Sequence, residues 1–274
     1  MESVISDSYS TSTLLGSKLL LSKLLPITYD QTKEFTLNTH LNILPNENLT
    51  TEPKLRYFGV GIGGAYNVDD GILSSAYNPD RKNMNLYNMI PIRCRPVDED
   101  LTDAERANYR LRTREVINGS EYFLYYLKVL NFDSEVTFKR YTLSGTEETY
   151  ELSRDNLTPT PVKPTTSDVL ETDTSTITAT CAANIEVTAN EVLEYINARY
   201  NGDTRYAKIS ELGLFTGTDT TTTGTSTDGV TITYKEAIGT ILFNHSTWIG
   251  TPLTHSGQKL SSQFLISNSG VTIR

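Results

Sequence analysis

Two runs, YRLRTREVI (Tyr109–Ile117) and SEYFLYYLKVL (Ser120–Leu130), flank the dipeptide Asn118-Gly119. Asn-Gly suits the positive φ angles that both central residues of a type I′ turn require, so this stretch is expected to fold as a β-hairpin. A lone hairpin is marginal in water and has to be extended or covered. The run EVTFKRYTL (Glu135–Leu143) is expected to extend it as a third, meandering strand, with a second hairpin turn at Ser144-Gly145. LRYFGVGI (Leu55–Ile62) and STITATCAANIEV (Ser175–Val187) also read as strands. In EFTLNTHLNIL (Glu34–Leu44) alternation puts Phe35, Leu37, Thr39, Leu41 and Ile43 on one face of a half-buried antiparallel strand, with His40 on the other.

A second strand pair lies between Ala207 and Phe243, where AKISELGLFTG and GVTITYKEAIGTILF are joined by TGTDTTTTGTSTDG. This threonine-dense segment, Thr216–Gly229, has no basic and no large apolar residue, so it is expected to be a loop, either ordered by a neighbouring subunit or free in solvent. Two capping-box sequences, Thr102 to Glu105 and Thr188 to Glu191, predict short helices, the second over NEVLEYINARY and closed by Asn201-Gly202. In the apolar stretch Leu14–Thr28, Leu15 with Leu19 and Leu21 with Leu25 share helical faces. Two lysines interrupt it and no positive segment precedes it, which argues against a signal peptide or a membrane span and for an amphipathic arm. That arm docks on its own domain or on a neighbouring subunit.

The expected fold is mainly β: an antiparallel β-sandwich or meander sheets with two short α-helices and an extended N-terminal arm. The expected divisions are the arm (1–30), a β-rich region with the Asn-Gly hairpin (31–157), a Pro-rich linker or crossover (158–166), and a second β-rich region with one helix and the threonine loop (167–274). The two β-rich regions can equally form a single domain. Three prolines within TPTPVKPTT argue against a central strand at the linker.

The net charge of −9 opposes general nucleic-acid binding, which needs surplus Lys and Arg against phosphates. Cys94 and Cys181 match no metal-ligand spacing and read as ordinary buried thiols from a reducing compartment. Gly59, Gly61 and Gly64 satisfy G-x-G-x-x-G after a strand, but turn residues stand where a helix should begin, so a close-packed glycine turn is expected rather than a nucleotide site. His40, His245 and His255 are the whole histidine supply, and none is spaced for a metal. Asp69-Asp70 and Asp98-Glu99-Asp100 read as solvated turns. Arg106, Arg110, Arg112 and Arg114 form the one basic concentration. The last three share a strand face and are expected to pair with acidic loops, within the chain or across a subunit contact. No catalytic residue, cofactor or metal is expected.

DLTDAERANYRLR followed by NGSEYFLYYLKVL, and AKISELGLFTG with the later YKEAIGTILFNH, resemble virion structural proteins of tailed bacteriophages; the ISELGLF strand is similar to one in tail- and collar-associated components. The resemblance covers Leu101–Leu130 and Ala207–His245. Its motifs are packing patterns, so no functional residue carries over. It implies a non-enzymatic subunit of the neck, collar, tail or baseplate, folded in the host cytoplasm and resident in the virion. Its partners would be other copies of itself and other virion proteins in a ring-like assembly, with no membrane and no sequence-specific nucleic-acid contact. The alternative is a glycan- or receptor-binding β-sandwich module, as in an adhesin or tail fibre, with Trp248 and the Tyr-rich hairpin as its exposed aromatics. A third reading, a hydrolase, requires the glycine cluster and a histidine to converge in a pocket.

Overall fold

The computed structural model describes residues 8–26, 29–30, 35–49, 51–67, 74–133, 135–141, 146–153, 176–226 and 229–268. The fold is mainly β, with antiparallel sheets. Contacts divide the chain into two units, residues 1–130 with 186–261, and residues 131–185 with 262–274. The expected linker at 158–166 lies outside the described residues.

The first unit is built on an eight-stranded sheet. Its strands are β1 (Tyr9–Ser12), β2 (Lys54–Gly61), β5 (Met89–Ile90), β6 (Arg93–Pro96), β7 (Tyr109–Ile117), β8 (Ser120–Val129), β13 (Lys208–Thr225) and β14 (Thr231–Pro252). The order is β1-β14-β13-β2-β8-β6, with β5 on β2 and β7 on β8. A small hairpin, β3 (Ala65–Asn67) with β4 (Ser74–Ala76), stands beside it in sequence. Among the described residues four α-helices belong to this unit: α1 (Leu14–Leu24), α2 (Leu37–Leu41), α3 (Asp103–Arg106) and α4 (Ala189–Tyr200). Both capping boxes form, at Thr102/Glu105 and at Thr188/Glu191. The Asn-Gly hairpin forms as expected, with φ of 51° at Asn118 and 84° at Gly119.

The second unit carries a five-stranded sheet in which β10 (Thr137–Tyr141) lies between β11 (Glu147–Thr149) and β12 (Thr176–Thr188). The short β9 (Asn131–Phe132) also pairs with β12, and β15 (Lys259–Asn268) forms the other edge. The strand expected to extend the Asn-Gly hairpin is therefore in a different sheet. Both edges of β8 are already taken, by β7 on one side and by β6 and β2 on the other (Arg93↔Tyr125, Tyr57↔Val129), so no ladder is left for a third meander strand. The turn at Ser144-Gly145 lies outside the described residues.

The strand expected at Glu34–Leu44 is instead the short helix α2. Thr36 accepts from the backbone N–H of Thr39 at the helix start, and Asn42 closes it with φ 54°. What favours the helix is Asn38, which is buried. Its amide donates to the Ile43 and Ala237 carbonyls at 3.0 and 2.7 Å and accepts from the Thr240 N–H and hydroxyl at 3.0 and 2.8 Å. Thr240 lies within, and Ala237 just before, a register shift in the β13–β14 pairing, and backbone groups freed by a bulge need such a partner.

The largest correction concerns Thr216–Gly229. The segment is not a loop up to Thr225: β13 runs through it, paired residue for residue with β14 from Thr218↔Ile238 to Thr225↔Thr231. Threonine is β-branched and fits a pleated, half-buried surface, so the composition that looks like a polar loop also makes a strand. Only residues 226–230 separate the strands, and Ser226 N–H donates to the Val230 carbonyl at 2.8 Å. At 18 residues β13 extends for about 60 Å, and irregularities at Ile209/Glu211, Leu214/Phe215 and Thr216/Thr218 break up the run. The inner half, Ile209–Thr218, is buried throughout. In the outer half Thr221, Thr223, Thr225, Thr231, Thr233 and Lys235 are exposed on one face of the ribbon, while Thr222, Gly224, Ile232 and Tyr234 are half-buried on the other. A Cβ on Gly224 would lie 3.3 Å from the Arg112 guanidinium, which shows how closely that covered face lies over β7.

Candidate functional site

The arginine strand carries a dense set of polar contacts. Arg110 donates to both carboxylate oxygens of Asp219 at 2.7 and 3.2 Å, and the same carboxylate accepts from Tyr57 Oη at 2.8 Å. Arg112 donates to Asp100 Oδ2 at 2.9 Å and to Tyr125 Oη at 3.2 Å. Its guanidinium lies 3.5 Å from the Phe123 ring centroid and 5.4 Å from that of Tyr234. Arg106 joins Asp103 at 2.6 Å and Asp100 at 3.4 Å, and Arg114 pairs with Glu121 near the surface. The expected pairing with acidic residues is made inside the chain for all four. Asp100, read from sequence as part of a solvated turn, is a partly buried counter-ion for two of them; Asp69-Asp70 lies outside the described residues. A phosphate arriving here would have to displace carboxylates already in place.

Charge balance explains the ionisation of these groups. Burial alone would raise the Asp219 pKa, but hydrogen bonding and charge from Arg110, with Tyr57 and Arg56, hold it below the usual aspartate range. Glu191 behaves likewise: burial opposes ionisation, and Lys128, the Thr188 backbone and Tyr109 more than offset it. Glu236 goes the other way, with burial pushing it up against three backbone N–H donors.

The glycine cluster and a histidine do converge, but on a carboxylate with no access to solvent. Glu211 accepts from the N–H groups of Gly63 (2.6 Å), Tyr87 (2.6 Å) and Asn88 (3.0 Å). His245 Nε2 lies 3.1 Å from Glu211 Oε2, and its Nδ1 lies 3.0 Å from Asn83 Nδ2. Glu211 and His245 are both fully buried, so this group cannot meet a substrate without unfolding its surroundings. Its effect is to tie β13 and β14 to the segment before β5. The glycines are needed for that approach, since a Cβ on Gly64 would lie 2.0 Å from the Ser210 carbonyl oxygen. The close-packed glycine turn read from sequence is what the structure contains.

His40 is exposed on α2, and His255 is exposed with its Nδ1 2.7 Å from Thr254 Oγ1. Cys94 is buried, and burial with the nearby Glu194 and Glu115 pushes its thiol up to about 12; Cys181, expected to be buried, is only partly so. Among the described residues no three His, Cys, Asp or Glu side chains are grouped to hold a metal, and no helix is long and apolar enough to cross a membrane.

The aromatics named from sequence as a glycan platform are in the core. Trp248 is buried and donates to Thr251 Oγ1 at 3.2 Å, while Tyr125 and Tyr126 of β8 are buried. Among the described residues the exposed tyrosines are elsewhere: Tyr9, Tyr66, Tyr77, Tyr87 and Tyr206. No periodic signal distinguished them, because each sits in or beside a short element.

The N-terminal arm docks on its own unit. β1 pairs with β14 from Tyr9↔Thr247 to Ser12↔Asn244, and Thr13 N–H donates to the Phe243 carbonyl at 3.0 Å. Leu19 is buried and Gly16 packs so closely that a Cβ would lie 2.7 Å from the same carbonyl. The opposite face of α1 and its C-cap present Leu14, Leu20, Leu21, Leu24 and Leu25, each about half exposed or more, with Leu24 at 65%. The helix thus has one leucine side buried against its own sheet and another exposed.

These features define a mainly β protein whose buried charges are internally satisfied and whose outward features are an apolar helix and a polar ribbon. The chain belongs to a family of unknown function, DUF7208, which matches residues 1–270. No curated protein and no solved structure matches it.

Proposed function

We propose that this protein is a non-enzymatic structural subunit of a tailed-phage virion, forming ring or connector contacts in the neck, collar, tail or baseplate with copies of itself and with other virion proteins. The observation that carries the assembly role is the uncovered leucine face of α1, held rigidly on β14 by Thr13, Gly16 and Leu19. Burying a leucine fully is worth about 1.5–3 kcal/mol, so half-exposed leucines stand to contribute on the order of 1 kcal/mol each when a neighbour covers them. The outer ribbon of β13 and β14 supports the same reading. Beyond Gly217, β13 pairs only with β14 among the described residues, which leaves a long strand edge available to another chain. The assignment to a phage particle rests on the resemblance of Leu101–Leu130 and Ala207–His245 to virion proteins.

The test is mass spectrometry of phage particles purified from an infected host whose phage encodes this chain. The expected result is the intact chain at a fixed stoichiometry to the major tail or head proteins. Its absence from washed, intact particles would overturn the virion assignment.

A further inference from the structure

Beyond assembly, a cleft in the first unit has the make-up of a ligand site. A cavity of about 340 Å³ is lined by Tyr66, Tyr206, Arg205, Lys208, Ile62 and Ile249. That volume falls at the small end of the range for small-molecule sites. Both tyrosines are 43% exposed, and each is braced by a second ring. Tyr206 stacks on Tyr200 at 4.0 Å and 8° between planes, and Tyr66 meets Tyr77 at 4.7 Å. Rings already held in place lose little freedom when a ligand arrives.

The charge in the cleft is also unusual for a chain of net charge −9. Arg205 is neutralised by Asp203 through contacts of 2.6 to 3.0 Å. Lys208 has no carboxylate partner among the described residues. Its aliphatic stem lies across Gly250, whose φ is 112° and where a Cβ would come within 2.8 Å of two Lys208 carbons. A side chain there would displace the lysine stem, so the glycine leaves room for Lys208 in the wall of the cleft.

We propose that this cleft binds an acidic saccharide, with the carboxylate of a uronic-acid-type sugar on Lys208 and its apolar ring face against Tyr206 or Tyr66. An aromatic face carries negative potential that attracts the polarised C–H groups of a sugar ring, and a cation beside it selects for charge. A nucleotide fits less well, because backbone N–H groups that could help cradle a phosphate are already engaged. The nearby candidates are occupied: Gly63 N–H donates to Glu211 and Gly64 N–H to Ser210 Oγ at 2.9 Å.

The experiment is an NMR titration of the full chain with trigalacturonate, its fully methyl-esterified form, and AMP. The expected result is saturable shifts from the cleft with trigalacturonate, at least tenfold weaker binding of the ester, and weaker binding still of AMP. Lys208→Met, which keeps the stem over Gly250, and Tyr206→Leu are each expected to weaken trigalacturonate binding at least tenfold while the melting temperature changes little. Absence of saturable binding at millimolar concentrations, equal binding of acid and ester, tighter binding of AMP, or affinity unchanged in Lys208→Met would each overturn the proposal. Loss of fold in Tyr206→Leu leaves the decision to Lys208→Met. The site uses no residue of α1, so its failure and a failure of the assembly role are separate results.

Discussion

The carboxylate of Glu236, on β14, holds Leu111, near the start of β7, in a left-handed backbone conformation with φ 56°. Leucine avoids this region because its Cβ crowds the backbone. The turn takes the Leu111 N–H off the β8 ladder and delivers it to Glu236, which also accepts from Arg112 N–H at 2.9 Å and Ala237 N–H at 2.8 Å. One buried side chain thereby fixes the Asn-Gly hairpin to the long β13–β14 ribbon.

Replacing Glu236 by leucine keeps most of the volume and removes the acceptor. Buried N–H groups left without partners cost about 1–3 kcal/mol each. The variant is expected to lose at least about 2 kcal/mol of stability in urea unfolding at pH 7. A loss within experimental error would show that the carboxylate does not hold the strand.

Acid should destabilise the first unit through Asp219. Its folded pKa is depressed, so its contribution is fully present above the unfolded value of about 4 and is lost as pH falls through the folded value. Glu191 contributes in the same sense. Asp219→Asn is expected to be less stable than the parent at pH 7 and to approach it as the pH drops below about 4, as read from urea midpoints. Parallel pH profiles would contradict this.

Two glycines separate close approach from backbone conformation. Gly64→Ala would put a methyl carbon 2.0 Å from the Ser210 carbonyl oxygen, whereas Gly119→Ala meets nothing within 4 Å and only opposes a φ of 84°. The first is expected to cost about 3 kcal/mol or more, since backbone has to move, and the second about 1 kcal/mol. Thermal unfolding of both variants checks the order, and equal losses would contradict it.

Much of this fold is legible where a local rule is strong. The capping boxes at Thr102 and Thr188 and the turn at Asn118-Gly119 depend on a few adjacent residues, and all three form. The failures come from contacts distant in sequence. Alternation between Glu34 and Leu44 imitates a strand, but the helix there is fixed by Asn38 meeting Ala237 and Thr240, about 200 residues later. Thr216–Thr225 reads as a loop because polarity outweighs β-branching when the partner strand is unknown. Asp100 looks solvated until Arg106 and Arg112 are placed around it. The leucines of α1 are visible in the sequence, but which of them the fold covers is not. The cleft escapes sequence reading because Tyr66, Lys208 and Ile249 come from three distant segments.

The account depends most on the leucine face of α1 being covered by another subunit. Sedimentation of the full chain across a wide concentration range, beside a Leu20→Glu/Leu24→Glu double variant, tests this directly. Both positions are at least half exposed, so the variant should keep its fold and melting temperature. The account predicts a discrete oligomer for the parent chain and a monomer for the variant. A parent chain that stays monomeric at every concentration, or a variant that assembles as the parent does, would contradict it.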